Sequence, residues 1–147
     1  MATAKAGQQE LIAGLNEDLA AEFSAVIMYT TYAAQVDGIH RSELRQFFQA
    51  EVPDEQGHSQ LLADKIAAMG GSPTTTSRPV PTAASNKARL EAALAAEVDT
   101  IERYAKRIGQ AEALNEIGLK VELENVLAEE TKHRDELKLM LKNYRGD

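Results

Sequence analysis

Six side chains of types that bind divalent metals occur in two copies of one pattern. Each copy has a lone glutamate and then a Glu-x-x-His stretch, and the second copy follows the first at an offset of 75 residues. The positions are Glu22, Glu55 and His58 in the first copy, and Glu97, Glu130 and His133 in the second. A tyrosine follows each lone glutamate by seven residues, at Tyr29 and Tyr104. Four carboxylates and two imidazoles are a donor set for two divalent metal ions.

Length and composition limit the other possibilities. The chain has 147 residues, enough for a sizeable core, and we predict a single domain over residues 1–147. It has no cysteine, which excludes disulfides and thiolate metal sites. A net charge of −7 argues against nucleic acid as a partner, because phosphate binding needs a basic surface. We find no secretory signal and no membrane-spanning run, so we expect a soluble cytoplasmic protein.

The hydrophobic pattern predicts an all-α chain of four helices. Apolar residues at helical spacing place them at about 8–36, 41–69, 86–113 and 116–144, with Ser85 capping the third. Short turns join the first helix to the second and the third to the fourth, so each pair should form an antiparallel hairpin. Residues 70–85 are rich in glycine, proline, serine and threonine, and we expect them to cross the length of the bundle.

The four glutamates should lie at one height in this bundle. The two glutamates of each hairpin are equally far from its turn, which falls at residues 38–39 or 113–114. Each one occupies a place on the apolar stripe of its helix, as Glu22 does between Leu19 and Val26. A single Glu-x-x-His on a helix is usually an exposed surface pair. Two copies in register on buried faces instead indicate a metal site, because buried carboxylates need cations.

This arrangement resembles the ferritin-like di-iron carboxylate superfamily, in which two helices each supply one glutamate and two supply Glu-x-x-His. The resemblance covers about Gln8 to Leu141 and is nearest to the bacterioferritins in ligand set. It implies a ferritin-like four-helix bundle with a long crossover between helices 2 and 3. It also implies two iron ions per subunit, with manganese as an alternative metal. By this resemblance the bridging ligands are Glu55 and Glu130, and the terminal ligands are Glu22 and His58 on one ion and Glu97 and His133 on the other.

Four further residues are predicted to support the metal ligands. Metal-bound histidines usually donate their second N–H to a carboxylate, a backbone carbonyl or water. Asp54 and Glu129 each precede a Glu-x-x-His glutamate, and we predict that each orients the histidine of the other copy. By the resemblance, Tyr29 is the tyrosine that lies beside the di-iron site in bacterioferritins, and Tyr104 is its counterpart in the second copy.

The chain departs from several related families at identifiable positions, and these differences limit which family properties are expected of it. Gln56 stands where bacterioferritins have a haem-ligating methionine, so no haem is expected. Six residues follow Leu141, too few for the short fifth helix of bacterioferritins, which counts against a hollow storage cage. Rubrerythrins have an additional glutamate where this chain has Thr100, and they carry a cysteine-rich module. Mini-ferritins of the starvation-induced DNA-binding type build their site between subunits, whereas one chain here holds all six ligands.

The leading hypothesis is a ferroxidase that binds two Fe(II) within one subunit and oxidises them with O2 or H2O2, for iron storage or detoxification. As the resemblance implies, it would act as a homo-oligomer. One alternative is a rubrerythrin-like di-metal peroxidase or oxidase without iron storage. The other is a metal-stabilised helical module that binds a partner without redox chemistry. The sequence leaves open the oxidant, the electron donor, the assembly and the choice between iron and manganese.

Overall fold

The computed structural model describes residues 2–145 and contains four helices. Their bounds are Ala2–Gln35 for α1, Arg41–Ala68 for α2, Asn86–Ala113 for α3 and Ile117–Leu141 for α4. No strand occurs in this part of the chain. Helix α1 packs along α2, α3 packs along α4, and α1 also meets α3. The all-α prediction is therefore confirmed, with the two hairpins in the predicted order.

The helices end where local chemistry stops them. Gly38 and Gly70, after α1 and α2, have φ angles of 77° and 83°, a left-handed conformation that glycine adopts without strain. Ser85 caps α3 as predicted, because its side chain accepts a hydrogen bond from the Ala88 N–H at 3.0 Å. Asn115 has a φ of 59° in the turn before α4, a conformation that asparagine tolerates better than most residues.

Two predicted helix ends were wrong by several residues. Helix α1 begins at Ala2 rather than near residue 8, because its first residues include good helix formers that are exposed and so show no apolar stripe. Helix α4 ends at Leu141 rather than at 144. Asn143 has a φ of 59°, so the backbone leaves the helical conformation there. The other ends agree with prediction to within one residue.

The crossover between α2 and α3 runs along α1, bound to it at three heights. The Asn16 side chain donates to the Ser72 carbonyl at 3.1 Å and accepts from the Thr74 N–H at 2.8 Å. Further along α1, Ser24 Oγ donates to the Arg78 carbonyl, and the Tyr32 hydroxyl donates to the Pro81 carbonyl, both at 2.6 Å. Helix α3 therefore begins beside the end of α1 and runs antiparallel to it.

The buried core consists of two apolar clusters, one nearer each end of the bundle. One contains Leu11, Leu15, Leu19, Leu62, Ile66, Tyr104, Ala111, Leu119, Leu123 and Val126. The other contains Met28, Tyr29, Tyr32, Ala33, Val36, Leu44, Phe48, Leu90, Ala93 and Leu137. The predicted metal ligands occupy the helix positions between these clusters. Among residues 2–145, no helix is both long enough and apolar enough to cross a membrane.

Candidate metal centre

The structure brings all six predicted ligands together at mid-height in the bundle. Each of the four helices contributes one glutamate, and α2 and α4 also contribute a histidine three residues later. The four carboxylates and His58 are buried, and the His133 side chain is 15% exposed. The predicted equal height of the four glutamates thus agrees with the structure, because their side chains meet although they come from four separate helices.

The first metal position is formed around the Nδ1 atom of His58. This atom lies 3.7 Å from Glu22 Oε2 and 3.4 Å from Glu55 Oε2. Glu130 Oε1 approaches the same nitrogen at 3.1 Å. Glu22, Glu55 and His58 have ligand atoms within 4.8 Å of one another, which is close enough to bind one ion. We call this cluster of Glu22, Glu55 and His58 the first position.

The second metal position is formed around the Nδ1 atom of His133. This nitrogen lies 3.7 Å from Glu97 Oε1 and 3.9 Å from Glu55 Oε1. Glu51 Oε2 approaches it at 2.8 Å. Glu51, Glu55, Glu97 and His133 have ligand atoms within 4.8 Å of one another, and we call them the second position.

The carboxylates of Glu55 and Glu130 lie between the two positions. Glu55 directs Oε2 towards His58 and Oε1 towards His133. Glu130 Oε1 lies 3.1 Å from His58 Nδ1 and 3.8 Å from His133 Nδ1. Each carboxylate can thus reach both positions, the placement that a bridging ligand requires.

The donor atoms fit a pair of divalent cations. Four carboxylate oxygens and one imidazole nitrogen here are buried without a directed hydrogen-bond partner. These atoms are Glu51 Oε2, Glu55 Oε1, Glu97 Oε2, Glu130 Oε1 and His133 Nδ1. Glu51 and His133 are close but not aligned for a hydrogen bond. Buried polar atoms without partners are costly, and metal ligation would satisfy them. Mixed oxygen and nitrogen donors suit iron or manganese.

The clustered acids change the protonation of both histidines. Burial lowers the pKa of His133, but its contacts with Glu51 and Glu97 outweigh burial and raise it to about 10. The pKa of His58 is raised in the same way, with Glu130 contributing most against burial. Without metal, both imidazoles therefore carry protons at neutral pH and partly neutralise the acids. A metal ion must displace these protons to bind Nδ1.

Burial also keeps protons on the two central carboxylates. It raises the pKa of Glu55 and of Glu130 well above the ordinary value, and the neighbouring carboxylates of Glu22 and Glu97 add to the shift. The pKa of Glu22 is lowered, because hydrogen bonds with Glu55 and His58 outweigh its burial. Metal binding at this cluster is therefore coupled to proton release.

The structure places the two predicted orienting acids beside the histidines of the other hairpin. Glu129 Oε2 lies 2.7 Å from His58 Nε2, a hydrogen-bond distance. Asp54 Oδ2 lies 3.5 Å from His133 Nε2, at the outer limit of such a bond. In both histidines Nδ1 faces the metal position and Nε2 faces the outer carboxylate. The outer contact is thus tighter at His58 than at His133.

The two tyrosines contact the lone glutamates across the bundle. The Tyr29 hydroxyl of α1 donates to Glu97 Oε1 of α3 at 2.5 Å. The Tyr104 hydroxyl of α3 donates to Glu22 Oε1 of α1 at 2.7 Å. Burial raises the pKa of both phenols well above the ordinary value, and the adjacent Glu97 and Glu22 raise it further. Both hydroxyls therefore stay protonated and hold the terminal carboxylates in place.

Glu51 is the one residue of the cluster that the sequence pattern did not reveal. It lies one turn before Glu55 on α2, and its side chain is 9% exposed. The residue 75 positions later is Val126, so Glu51 has no counterpart in the repeat. The available signal was its place on the inward face of α2, between Phe48 and Glu55.

Comparisons with known proteins agree with this geometry. A family described as a ferritin-like domain matches residues 12–146. A bacterioferritin of Streptomyces coelicolor is 30% identical over 136 residues, covering 92% of this chain and 81% of the relative. A solved ferritin-like, diiron-carboxylate protein of Bacillus anthracis is 49% identical, with a TM-score of 0.92, and the match covers 92% of this chain and 98% of that chain.

Two further solved structures extend the comparison. BfrA of Mycobacterium tuberculosis is 27% identical with a TM-score of 0.84, over 90% of this chain and 83% of that one. Dps of Thermosynechococcus elongatus is 19% identical and shares the fold, with a TM-score of 0.90 over 99% of this chain and 97% of that one. The resemblance inferred from the sequence is confirmed, and the fold is a ferritin-like four-helix bundle. The chain belongs to the ferritin-like family.

Proposed function

We propose that this protein is a di-iron ferroxidase, which binds two Fe(II) ions at the first and second positions of one chain and oxidises them with O2 or H2O2. The observation that carries the proposal is the convergence of buried carboxylates from all four helices with two histidines, where four carboxylate oxygens and one imidazole nitrogen have no directed hydrogen-bond partner. The same donors also suit Mn(II). The resemblance to proteins named bacterioferritin and diiron-carboxylate protein supports iron over other metals.

Each side chain of the centre has a definite part in this function. The substrate Fe(II) ions supply one electron each, and H2O2 that takes two electrons and two protons leaves as two waters. Glu55 and Glu130 span both positions and hold the ions close enough to act on one oxidant. Tyr29 and Tyr104 fix the terminal carboxylates through their hydrogen bonds. Protons displaced from the two histidines and the central acids on metal binding are available nearby.

We further propose that the protein works as a homo-oligomer in iron storage or detoxification, as its resemblance to the ferritin-like family implies. We expect no haem, because Gln56 stands where a methionine would be needed. A di-metal peroxidase or oxidase without storage would use the same ligands. The two functions differ in how much iron each chain handles, so stoichiometry separates them.

The test is an anaerobic Fe(II) titration followed by O2 and then H2O2, with ferric absorbance recorded against iron added per chain. Oxidation that continues far beyond two ions per chain, with soluble mineral, supports a storing ferroxidase. Saturation at two ions supports the non-storing oxidase or peroxidase. Absence of any ferric signal overturns both and favours a non-redox module. Glu22→Ala removes a ligand of the first position and should abolish the two-electron oxidation, whereas the exposed Glu102→Ala is the matched control.

A further inference from the structure

A cavity of about 510 Å³ opens between α1 and α3 directly above the metal centre. Its floor contains Tyr29, Glu55, Glu97 and Glu130, and its roof is crossover residues 78–81. Dioxygen or peroxide has two oxygen atoms and needs only about 60 Å³, twice the volume that one water molecule occupies. The volume instead lies within the roughly 300–1,000 Å³ range of small-molecule sites. This cavity is larger than a ferroxidase reaction requires.

The walls of the cavity are apolar because both helices present alanines there. The wall alanines are Ala21 and Ala25 on α1, and Ala92, Ala95 and Ala96 on α3. Met28 on α1 and Val80 in the roof add further apolar surface. Small side chains on both helices leave the gap open at the height of the metal ligands. An apolar body of a ligand can therefore lie along these walls.

The roof of the cavity is held in place by α1. The Arg78 N–H donates to the Ala20 carbonyl at 3.4 Å, and Ser24 Oγ donates to the Arg78 carbonyl at 2.6 Å. At the other end of the roof, Tyr32 binds the Pro81 carbonyl. The cavity is thus bounded by fixed backbone on three sides, so a ligand would not have to order a loose loop.

The mouth of the cavity has more positive than negative groups. Arg78 and Arg103 both contact the single carboxylate of Asp99. Arg103 Nε also lies 3.4 Å from Asp18, but that carboxylate is already bonded to Arg107 at 2.7 and 3.2 Å. The exposed Glu17 also lies 3.9 Å from Arg107, so Asp18, Arg107 and Glu17 add no excess positive charge. At the mouth itself two guanidiniums share the one carboxylate of Asp99, which leaves guanidinium donors to attract an anion.

We propose that this cavity binds one small organic carboxylate with an apolar body. Its carboxylate pairs with Arg78 and Arg103 at the mouth, and its body lies between the alanines of α1 and α3, ending above the metal carboxylates. This site goes beyond the proposed ferroxidase function and does not depend on iron oxidation, because the apolar walls and the guanidiniums are present without metal.

The test is calorimetric titration of the full chain with octanoate, in the metal-free form and after loading with Zn(II). Octan-1-ol has the same apolar body without the charge, and acetate has the charge without the body. Octanoate should bind once per chain and at least about tenfold more tightly than either. Octanol lacks the hydrogen bond to a charged group, which is worth about this much, and acetate lacks the buried CH2 groups. Equal affinity for octanoate and octanol, or no saturation by octanoate, would overturn the proposal.

Variants show whether binding occurs in this cavity. Ala25→Leu and Ala92→Leu fill it from opposite helices, and each should abolish octanoate binding, whereas Ala105→Leu, exposed on α3 outside the cavity, should not. Arg78→Gln, at a half-exposed position, should weaken octanoate about tenfold and leave octanol unchanged. Unchanged octanoate binding in both filled variants would refute the site.

These experiments can refute the ferroxidase proposal and the cavity proposal independently. Octanoate binding that persists in a protein unable to oxidise Fe(II) would refute the ferroxidase proposal and support the cavity. Fe(II) oxidation in a protein that does not bind octanoate would refute the cavity alone. In Co(II)-loaded protein, octanoate should also change the visible absorption of the metal, because its apolar end displaces water above the ligands. No spectral change would contradict the proposed orientation.

Discussion

The charged side chains beside the first metal position have uncharged counterparts beside the second. Asp18 is fully buried next to the first position and accepts two hydrogen bonds from the Arg107 guanidinium, with Arg103 nearby. The residues 75 positions away in the repeat cannot form ion pairs. These counterparts are Ala93 for Asp18, Met28 for Arg103 and Tyr32 for Arg107. The two copies thus share the six candidate ligands but differ in the residues around them.

Glu51 is a second difference between the two positions, and it adds negative charge to the second one. It places an additional carboxylate at the second position, whereas its counterpart Val126 is apolar. The second position therefore has more negative charge, and the first lies closer to the Arg103 and Arg107 guanidiniums. Coulomb attraction should make the second position the tighter site for a single cation. Two positions with equivalent predicted ligands thus become unequal through their neighbours.

The largest expected effect is on folding stability at the charged cluster. Asp18→Ala removes the carboxylate bonded to the buried Arg107 guanidinium and leaves it only Gln110 and the exposed Glu17, which should lower the free energy of unfolding by about 3–5 kcal/mol. The measurement is urea unfolding of the metal-free protein. The double variant Asp18→Ala/Arg107→Met should be more stable than Asp18→Ala, because it removes the poorly compensated charge as well. A loss below about 1 kcal/mol would show that the cluster is hydrated.

Metal removal should have the next largest effect. Binding to the folded state alone stabilises a protein by about 2.7 kcal/mol when free metal is at 100 times Kd. The melting temperature should therefore rise in two steps as Zn(II) is added to the metal-free protein, one step for each position. Equal melting temperatures with and without metal would argue against a buried site.

The stability of the metal-free protein should depend on pH with a definite sign. The pKa of His133 is about 10 in the folded protein and about 6.5 when unfolded, so its stabilisation is complete below pH 6.5 and disappears as pH approaches 10. Glu55 and Glu130 also have raised pKa values, which adds a loss of stability as pH rises above 4.5. The melting temperature should therefore fall from pH 6.5 to pH 9. A rise over this range would contradict the proposed protonation.

Most of the fold and the clustering of the six candidate ligands could be predicted from the sequence, because both leave a periodic pattern in it. Apolar residues at helical spacing located α2 and α3 to within a residue, and proline and glycine marked the crossover. The six candidate ligands could be identified because each position recurs at the same offset. The start of α1 was missed because Ala2 and the residues after it are exposed and show no stripe. Helix propensity, rather than an apolar face, favours the helix there.

Features that do not recur at the 75-residue offset could not be predicted from the sequence. Glu51 has no counterpart 75 residues later, so a search for recurring positions does not find it. The pairing of Asp18 with Arg107 joins residues 89 apart, and nothing in their local sequence links them. The cavity arises where alanines of α1 and α3 face each other, which depends on how the two helices pack. Contacts between helices, rather than patterns along one helix, determine all three.

The inequality of the two positions can be measured directly by changing Glu51. Glu51→Gln removes one carboxylate from the second position and leaves the first intact. In a Co(II) titration followed by absorbance, one of two binding steps should weaken about 10–100-fold, and the other should not change. The exposed Glu43→Gln on the same helix is the control. If both steps shift equally, Glu51 acts through overall charge and is not a ligand.

The smallest expected effect is the loss of Co(II) affinity when either outer carboxylate is removed. Glu129 lies 2.7 Å from His58 Nε2, whereas Asp54 lies 3.5 Å from His133 Nε2, and both acids are half-exposed. Glu129→Ala should therefore weaken Co(II) binding at the first position about tenfold, since such outer contacts orient the histidine. Asp54→Ala should weaken the second position by less, because Glu51 also contacts His133. In the Glu51→Gln background the effect of Asp54→Ala should increase. If Asp54→Ala lowers Co(II) affinity more than Glu129→Ala does in the otherwise unchanged protein, these distances do not determine how firmly each histidine is held.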